Sequence, residues 1–81
     1  MDEQIRQVIA GNARLSVDMN DLGDDDDLYR CGMSSQAAVS VMLALEDLFE
    51  VEFTEELLVR STFSSVSAMR EALEKLGVSG S

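Results

Sequence analysis

Two adjacent serines, Ser34 and Ser35, follow a glycine at the predicted start of a helix and are the side chains best placed for chemistry. Gly32 can turn the backbone sharply. Ser34 is then expected to be the N-cap of the helix, and Ser35 its first residue, pointing outward. A phosphate on Ser35 would lie beside the free N–H groups and the positive end of the helix dipole. The spacing therefore leaves two interpretations open: both serines only cap the helix, or Ser35 carries a phosphate-linked group.

The other reactive side chains exclude most catalytic sites. The sequence has no histidine and one cysteine, so a Ser-His-Asp triad, a Cys-His pair, a disulfide framework and all-cysteine or histidine-containing zinc sites are impossible. The aspartate run 24–27 suggests a calcium loop, but starting at Asp21 or Asp24 puts neither glycine at position six nor glutamate at position twelve of an EF-hand. We predict no catalytic residue and no dedicated metal site. Cys31 is expected to be structural.

The charge of the chain indicates its class of partner. The 81 residues carry 16 acidic and 6 basic side chains, a net charge of −10. Such a chain repels phosphate backbones and anionic lipids, so nucleic acid and membranes are poor partners. No apolar run approaches the roughly 20 residues that span a bilayer, and the sequence opens with acidic residues where a signal peptide would be basic. These features predict a cytoplasmic monomer that binds basic protein surfaces.

The elements that position the two serines are predicted to be helical. Apolar residues recur at helical spacing near 3–13, over 34–49 and over 65–76. A short helix is expected over 54–58, where Thr54 is a plausible N-cap and two glutamates lie in the first turn. The pattern predicts an all-α protein with four helices and only a break at 60–64.

A long loop is predicted between the first and second helices, because periodicity fails from about 14 to 33. Five apolar residues are spaced so that this loop can anchor itself in the core. They are Leu15, Val17, Leu22, Leu28 and Tyr29. Gly77 is expected to end the last helix. The sequence therefore predicts one domain over 1–76 and a flexible tail over 77–81.

Two segments resemble acyl carrier proteins: 32–39 (GMSSQAAV) and 44–53 (ALEDLFEVEF). The hallmark of that family is a Gly-x-Asp-Ser-Leu turn that leads into a helix ending in an acidic and apolar strip, and the similarity runs from about Asp26 to Leu76. In that family the serine of the motif carries 4′-phosphopantetheine, and Ser35 stands at its position. The resemblance implies an acyl-carrier-type four-helix bundle with a long loop between the first and second helices.

Departures from the motif indicate a subfamily. Ser34 stands where the family has Asp, Gln36 where it has Leu, and Ala37 and Ser40 where fatty-acid carriers usually have acids. The form Asp-Leu-Tyr-x-x-Gly-Met-Ser-Ser, followed by Leu-Leu-x-Arg-x-x-Phe at 57–63, is more similar to the aminoacyl carrier proteins. Stand-alone ligases that resemble the catalytic part of a class II aminoacyl-tRNA synthetase load those carriers.

The resemblance implies that a phosphopantetheinyl transferase attaches the arm to Ser35. An amino acid:carrier protein ligase, or an acyl ligase or transferase, then charges its thiol. Two alternatives stay open, a fatty-acyl carrier of a specialised lipid pathway and an acidic helical adaptor without the arm.

Partner enzymes are expected to recognise the residues that flank Ser35. Residues 18–56 hold twelve acids and one base, whereas the rest of the chain holds four acids and five bases. A charge run is often only a solvated face, but its position here favours the docking of basic surfaces. We predict partner contacts at Gly32, Met33, Ser34, Gln36, Glu46, Asp47 and Glu50.

Overall fold

The computed structural model describes residues 1–78, and the regular elements within them are three α-helices and three 3₁₀ turns, with no strand. Helix α1 spans Asp2–Asn12, α2 spans Ser35–Phe49 and α3 spans Val66–Lys75. The 3₁₀ turns cover Met19–Asp21, Glu55–Leu57 and Arg60–Phe63. None of these helices is long and apolar enough to cross a bilayer. The all-α prediction is confirmed, with α2 as expected.

The predicted short helix over 54–58 is a single 3₁₀ turn. The Leu57 N–H donates to the Thr54 carbonyl at 2.9 Å, but the Thr54 side chain does not cap the turn. Leu58 leaves the helical region with ψ 59°, and Val59 is extended, so the helix stops there. The next 3₁₀ turn, Arg60–Phe63, lies where the sequence predicts only a break. Two 3₁₀ turns in succession therefore take the place of the fourth helix.

The core forms where α1 packs against both α2 and α3. Each helix contributes a face of fully buried aliphatic side chains, which includes Ile5, Ile9, Val41, Leu45, Met69 and Leu73. The rings of Phe53 and Phe63 meet edge to face with centroids 5.3 Å apart, and this contact ties the 3₁₀ segment to the end of α2.

The long loop between α1 and α2 is anchored to the rest of the domain. Leu22 and Leu28 are buried, Leu15 and Tyr29 are half-buried, and Val17 is 40% exposed, so its predicted place in the core was wrong. The Leu28 N–H donates to the Ser64 carbonyl at 2.7 Å, which joins the loop to the segment before α3. The loop therefore delivers the chain to the start of α2 in a defined position.

The end of α3 is closed by Gly77, whose φ of +93° ends the helix as predicted. The Val78 N–H then donates to the Leu73 carbonyl at 3.0 Å. Of the tail predicted over 77–81, residues 79–81 lie outside the described residues. The domain boundary at 76 stays a prediction.

Candidate functional site

The start of α2 gives its two serines different roles. Gly32 has φ +109°, a backbone conformation that residues with a side chain rarely adopt, so the turn before α2 favours glycine. Ser34 is the N-cap, and its Oγ accepts a hydrogen bond from the Ala37 N–H at 3.0 Å. Ser35 is the first helical residue and is exposed. One hydroxyl therefore serves the helix, and the other is presented at the surface.

Ser35 lines an open groove of about 300 Å³. One wall is a face of α2 formed by Ser35, Ala38, Val39 and Met42, and the opposite wall comes from the segment around the last 3₁₀ turn, with Leu58, Val59, Arg60 and Phe63. We call this cleft the Ser35 groove. Tyr29 of the long loop completes it. Its walls are mostly apolar side chains, so it offers apolar contacts to a group that leaves Ser35.

Arg60 and Tyr29 form a stacked pair in this groove. The guanidinium carbon of Arg60 lies 3.9 Å from the centroid of the Tyr29 ring, and the Tyr29 hydroxyl donates to the Arg60 carbonyl at 3.3 Å. Burial raises the pKa of Tyr29 above its usual value. The Arg60 charge acts against this increase in pKa, and the Asp27 carboxylate adds to it. Tyr29 therefore remains a neutral hydrogen-bond donor at neutral pH.

A second, more polar depression lies on another side of the same helix start. It is lined by Asn12, Arg14, Gly32, Ser34, Gln36, Ala37 and Ser40. Ser35 is absent from its lining, so the side chains of Ser34 and Ser35 contribute to different surfaces. Three of the predicted partner residues, Gly32, Ser34 and Gln36, lie here and are exposed.

The other predicted partner residues divide into exposed and structural side chains. Asp47 and Glu50 are exposed near the end of α2. Met33 is only 3% exposed and belongs to the core. Glu46 is half-buried, and its Oε2 accepts a hydrogen bond from the Phe53 N–H at 2.8 Å. The placement of Met33 and Glu46 therefore favours structural roles.

The aspartates of the long loop mainly organise the loop itself. Asp18, Asp26 and Asp27 accept hydrogen bonds from nearby backbone N–H groups, and Asp24 forms an ion pair with Arg6. No group of three or more His, Cys, Asp or Glu side chains within residues 1–78 is arranged to hold a metal ion. Cys31 belongs to the same loop and is half-buried. These acids therefore act as turn-forming residues in the structure.

The structure has an exposed apolar surface, on α2 and on the segment 58–59, that the sequence analysis did not predict. Val39, Leu43, Leu58 and Val59 are each 47–56% exposed. The sequence does contain a sign of this surface, because the apolar stripe on α2 is wider than one packed helix face requires. An exposed apolar surface of this kind is typical of an interaction site.

The site as a whole suits a serine-linked phosphodiester. The first N–H groups of α2 lack partners within the helix and carry its positive dipole end. Arg60 lines the groove beside Ser35, and Arg14 lines the neighbouring depression. An exposed hydroxyl at a helix start, in a groove that an arginine also lines, is compatible with a covalent phosphate linkage.

The comparison with protein families identifies the class. Residues 3–73 match the model of the phosphopantetheine attachment site. The chain belongs to this family of carrier proteins, and its cofactor is a covalently attached 4′-phosphopantetheine. Proteins of this family are in general carriers and not catalysts.

Within that class the chain is a homologue of the aminoacyl carrier proteins. It is 35% identical over 74 residues to the aminoacyl carrier protein of Agrobacterium fabrum, which covers 91% of this chain and 89% of the relative. The recognition made from the motif at 32–39 is confirmed.

Solved structures show the same fold. A carrier protein from Agrobacterium tumefaciens was crystallised with an engineered Bradyrhizobium japonicum glycine:[carrier protein] ligase, once with AMP and once with ATP. The two structures match with TM-scores of 0.88 and 0.87 at 35% and 34% identity, over 91% of this chain and 99% and 96% of the other chains. A solution structure from Agrobacterium tumefaciens matches with TM-score 0.72 at 35% identity, over 93% of this chain and 90% of that one. The acyl-carrier-type fold is therefore confirmed.

Proposed function

We propose that Ser35 holds the phosphopantetheine arm and that the thiol of the arm carries a small amino acid as a thioester. The observation that carries this proposal is the exposed position of Ser35 at the first residue of α2, beside a Ser34 hydroxyl already engaged by the Ala37 N–H. In the attachment step the Ser35 oxygen bonds to the pantetheine-bearing phosphorus of coenzyme A. The phosphorus–oxygen bond to the nucleotide breaks, the nucleotide leaves, and the serine proton is released.

The local charge supports attachment at this point of an acidic protein. Residues 35–45, the first three turns of α2, contain no charged side chain, and the helix dipole is positive at Ser35. The negative phosphodiester would therefore lie at the positive end of the helix dipole, on a helix face that carries no carboxylate. A phosphopantetheinyl transferase is the partner that this step requires.

The comparisons support an amino acid as the cargo. The curated relative is an aminoacyl carrier protein, and a structural neighbour is a carrier bound to a glycine:[carrier protein] ligase. Gln36, Ala37 and Ser40 supply none of the acids by which fatty-acid enzymes usually recognise a carrier. An aminoacyl group has a charged amine that gains nothing from entering an apolar core. We propose an amino acid:carrier protein ligase as the loading partner, in the cytoplasm, where free thiols stay reduced.

One feature favours a fatty-acyl cargo as the second candidate. The Ser35 groove is apolar and lies directly beside the attachment residue. To shelter a long chain between the helices, however, α2 would have to separate from neighbours around its fully buried Val41 and Leu45. Loss of that packing opposes chain entry.

The cargo is tested by offering the holo protein to two classes of loading enzyme. One reaction contains an amino acid:carrier protein ligase, ATP and amino acids, and the parallel reaction contains an acyl-carrier synthetase, ATP and fatty acids. We expect intact mass to rise by one aminoacyl group in the first reaction and to stay unchanged in the second. Efficient acylation without aminoacylation would overturn the amino-acid cargo and leave the carrier assignment intact. A Ser35→Ala variant is the control for both reactions.

A further inference from the structure

Arg60 lines the same groove as Ser35, and it has no carboxylate partner within residues 1–78. Three of the other arginines do have one: Arg6 is paired with Asp24, Arg70 with Asp2, and Arg30 lies 4.0 Å from Asp27. The chain has 16 acids for 6 bases, so carboxylates are abundant. A guanidinium without a carboxylate partner, in the groove of the proposed attachment serine, is available for an anion that is added later.

Arg14 also lacks a carboxylate partner in the described residues, but it lines a different surface from Arg60. Arg60 and Ser35 line the same groove. Arg14 lines the polar depression together with Ser34 and Gln36, and Ser35 does not contribute to that depression. Of these two arginines, only Arg60 therefore shares a surface with Ser35.

Tyr29 holds Arg60 in a geometry that leaves its donors free. The guanidinium carbon of Arg60 lies over the Tyr29 ring, 3.9 Å from its centroid, and the five N–H groups of a guanidinium point outward in its plane. The Tyr29 hydroxyl also binds the Arg60 carbonyl, so one side chain contacts both the backbone and the side chain of Arg60. Because the guanidinium is already held in place, binding an anion costs less side-chain conformational entropy.

We propose that Arg60 binds the phosphate of the arm attached to Ser35 and that Tyr29 is the positioning residue for Arg60. The inference rests on the proposed attachment at Ser35. Planar guanidinium groups bind phosphate oxygens through paired, charge-assisted hydrogen bonds. The contact biases the arm toward the groove side of α2, the side that bears the exposed apolar residues Val39, Leu58 and Val59.

The first test compares the ³¹P resonance of the holo protein in four forms: wild type, Arg60→Gln, and the matched controls Arg14→Gln and Arg30→Gln. Intact mass establishes first that each form carries the arm. We expect Arg60→Gln alone to shift the ³¹P resonance, and salt at about 1 M, where screening acts within a few ångströms, to move the wild-type resonance toward that of Arg60→Gln. Identical resonances in wild type and Arg60→Gln would overturn the inference.

A second measurement needs no loaded Arg60 variant. In ¹⁵N-labelled wild type, the Nε–Hε resonance of Arg60, assigned from its loss in apo Arg60→Gln, should shift between the apo and holo forms. The corresponding resonances of Arg14 and Arg30 should stay in place, and Tyr29→Leu should abolish the Arg60 shift. No change at Arg60 on loading would contradict the proposal. Failure of wild type to gain the arm would instead contradict the attachment at Ser35, so the two ideas fail separately.

Discussion

At the scale of single residues, the site depends on how two identical side chains are used. The Ser34 Oγ accepts the Ala37 N–H at 3.0 Å, whereas Ser35, one position later, is exposed and lines the groove. The difference arises from backbone conformation, because Ser34 is extended with ψ 164° and Ser35 is already helical. The chemistry of the site is therefore set by register with respect to the helix start.

We expect Ser34→Ala to lower the free energy of unfolding by about 1 kcal/mol, the usual cost of a lost N-cap. Ser65 provides a matched control, because its Oγ caps α3 through the Ala68 N–H at the same distance, 3.0 Å. Urea denaturation should give similar losses for Ser34→Ala and Ser65→Ala, and both variants should still accept the arm. A Ser34→Ala protein as stable as wild type would show that the cap contributes nothing.

Tyr29 should titrate above the ordinary tyrosine pKa of about 10, because burial raises its pKa, Arg60 lowers it less, and Asp27 raises it further. The folded state then holds the proton more tightly than the unfolded state. The stability gained is complete below the unfolded pKa and is lost as pH rises through the folded pKa. Tyr29 is the single tyrosine of the chain, so ultraviolet absorbance of tyrosinate reports its titration directly. Equal midpoints in the native and urea-unfolded protein would refute the raised pKa.

At the scale of elements, α2 was predictable and the segment after it was not. Gly32, Ser34 and a long apolar periodicity all indicate the same helix, and Ser35–Phe49 forms as expected. Thr54 and two glutamates favour a helix at 54–58, but Phe63 must reach Phe53 for their edge-to-face contact. This tertiary demand outweighs the local preference of a segment too short to nucleate an α-helix easily.

The exposed row on α2 escaped prediction for a related reason. A wide apolar stripe does not indicate which residues face the core unless the size of the opposing element is known. Here the opposing wall of the groove is the segment 58–63, in 3₁₀ and extended conformation, and it leaves Val39 about half exposed. The exposed first-turn position of Ser35 could be predicted because its signal is local, whereas the groove depends on residues from three separate parts of the chain.

The carboxylate of Glu46 is expected to stabilise the turn that leaves α2. Its Oε2 accepts the Phe53 N–H at 2.8 Å, so Glu46→Ala should cost about 1 kcal/mol, the net value of one such hydrogen bond. Asp47, the adjacent exposed acid, is the matched control, and Asp47→Ala should change stability by less than about 0.5 kcal/mol. Thermal or urea unfolding measures both. Equal effects of the two substitutions would contradict the structural role of Glu46.

At the scale of the whole molecule, charge and apolar surface are separated around Ser35. The first three turns of α2 carry no charge, and twelve of the sixteen acids lie in the long loop and from Glu46 to Glu56. Long-range attraction by such acids accelerates encounter with a basic partner, while apolar contact determines how long the complex lasts.

We therefore expect association with the loading ligase to slow markedly as salt rises, because screening weakens the attraction between exposed charges. Stopped-flow or surface-binding kinetics at low and high salt would measure this, and dissociation should change less than association. Asp47→Asn should weaken the salt dependence of association without destabilising the fold. Association that is independent of salt would refute electrostatic docking.

The central claim is that Ser35 alone carries the arm, and intact mass after incubation with a phosphopantetheinyl transferase and coenzyme A tests it most directly. Wild type and Ser34→Ala should each gain one phosphopantetheine group, and Ser35→Ala should remain folded, as circular dichroism would show, and gain no mass. Loading of Ser35→Ala, or a wild-type protein left unmodified by a transferase that loads another carrier in the same assay, would contradict the claim.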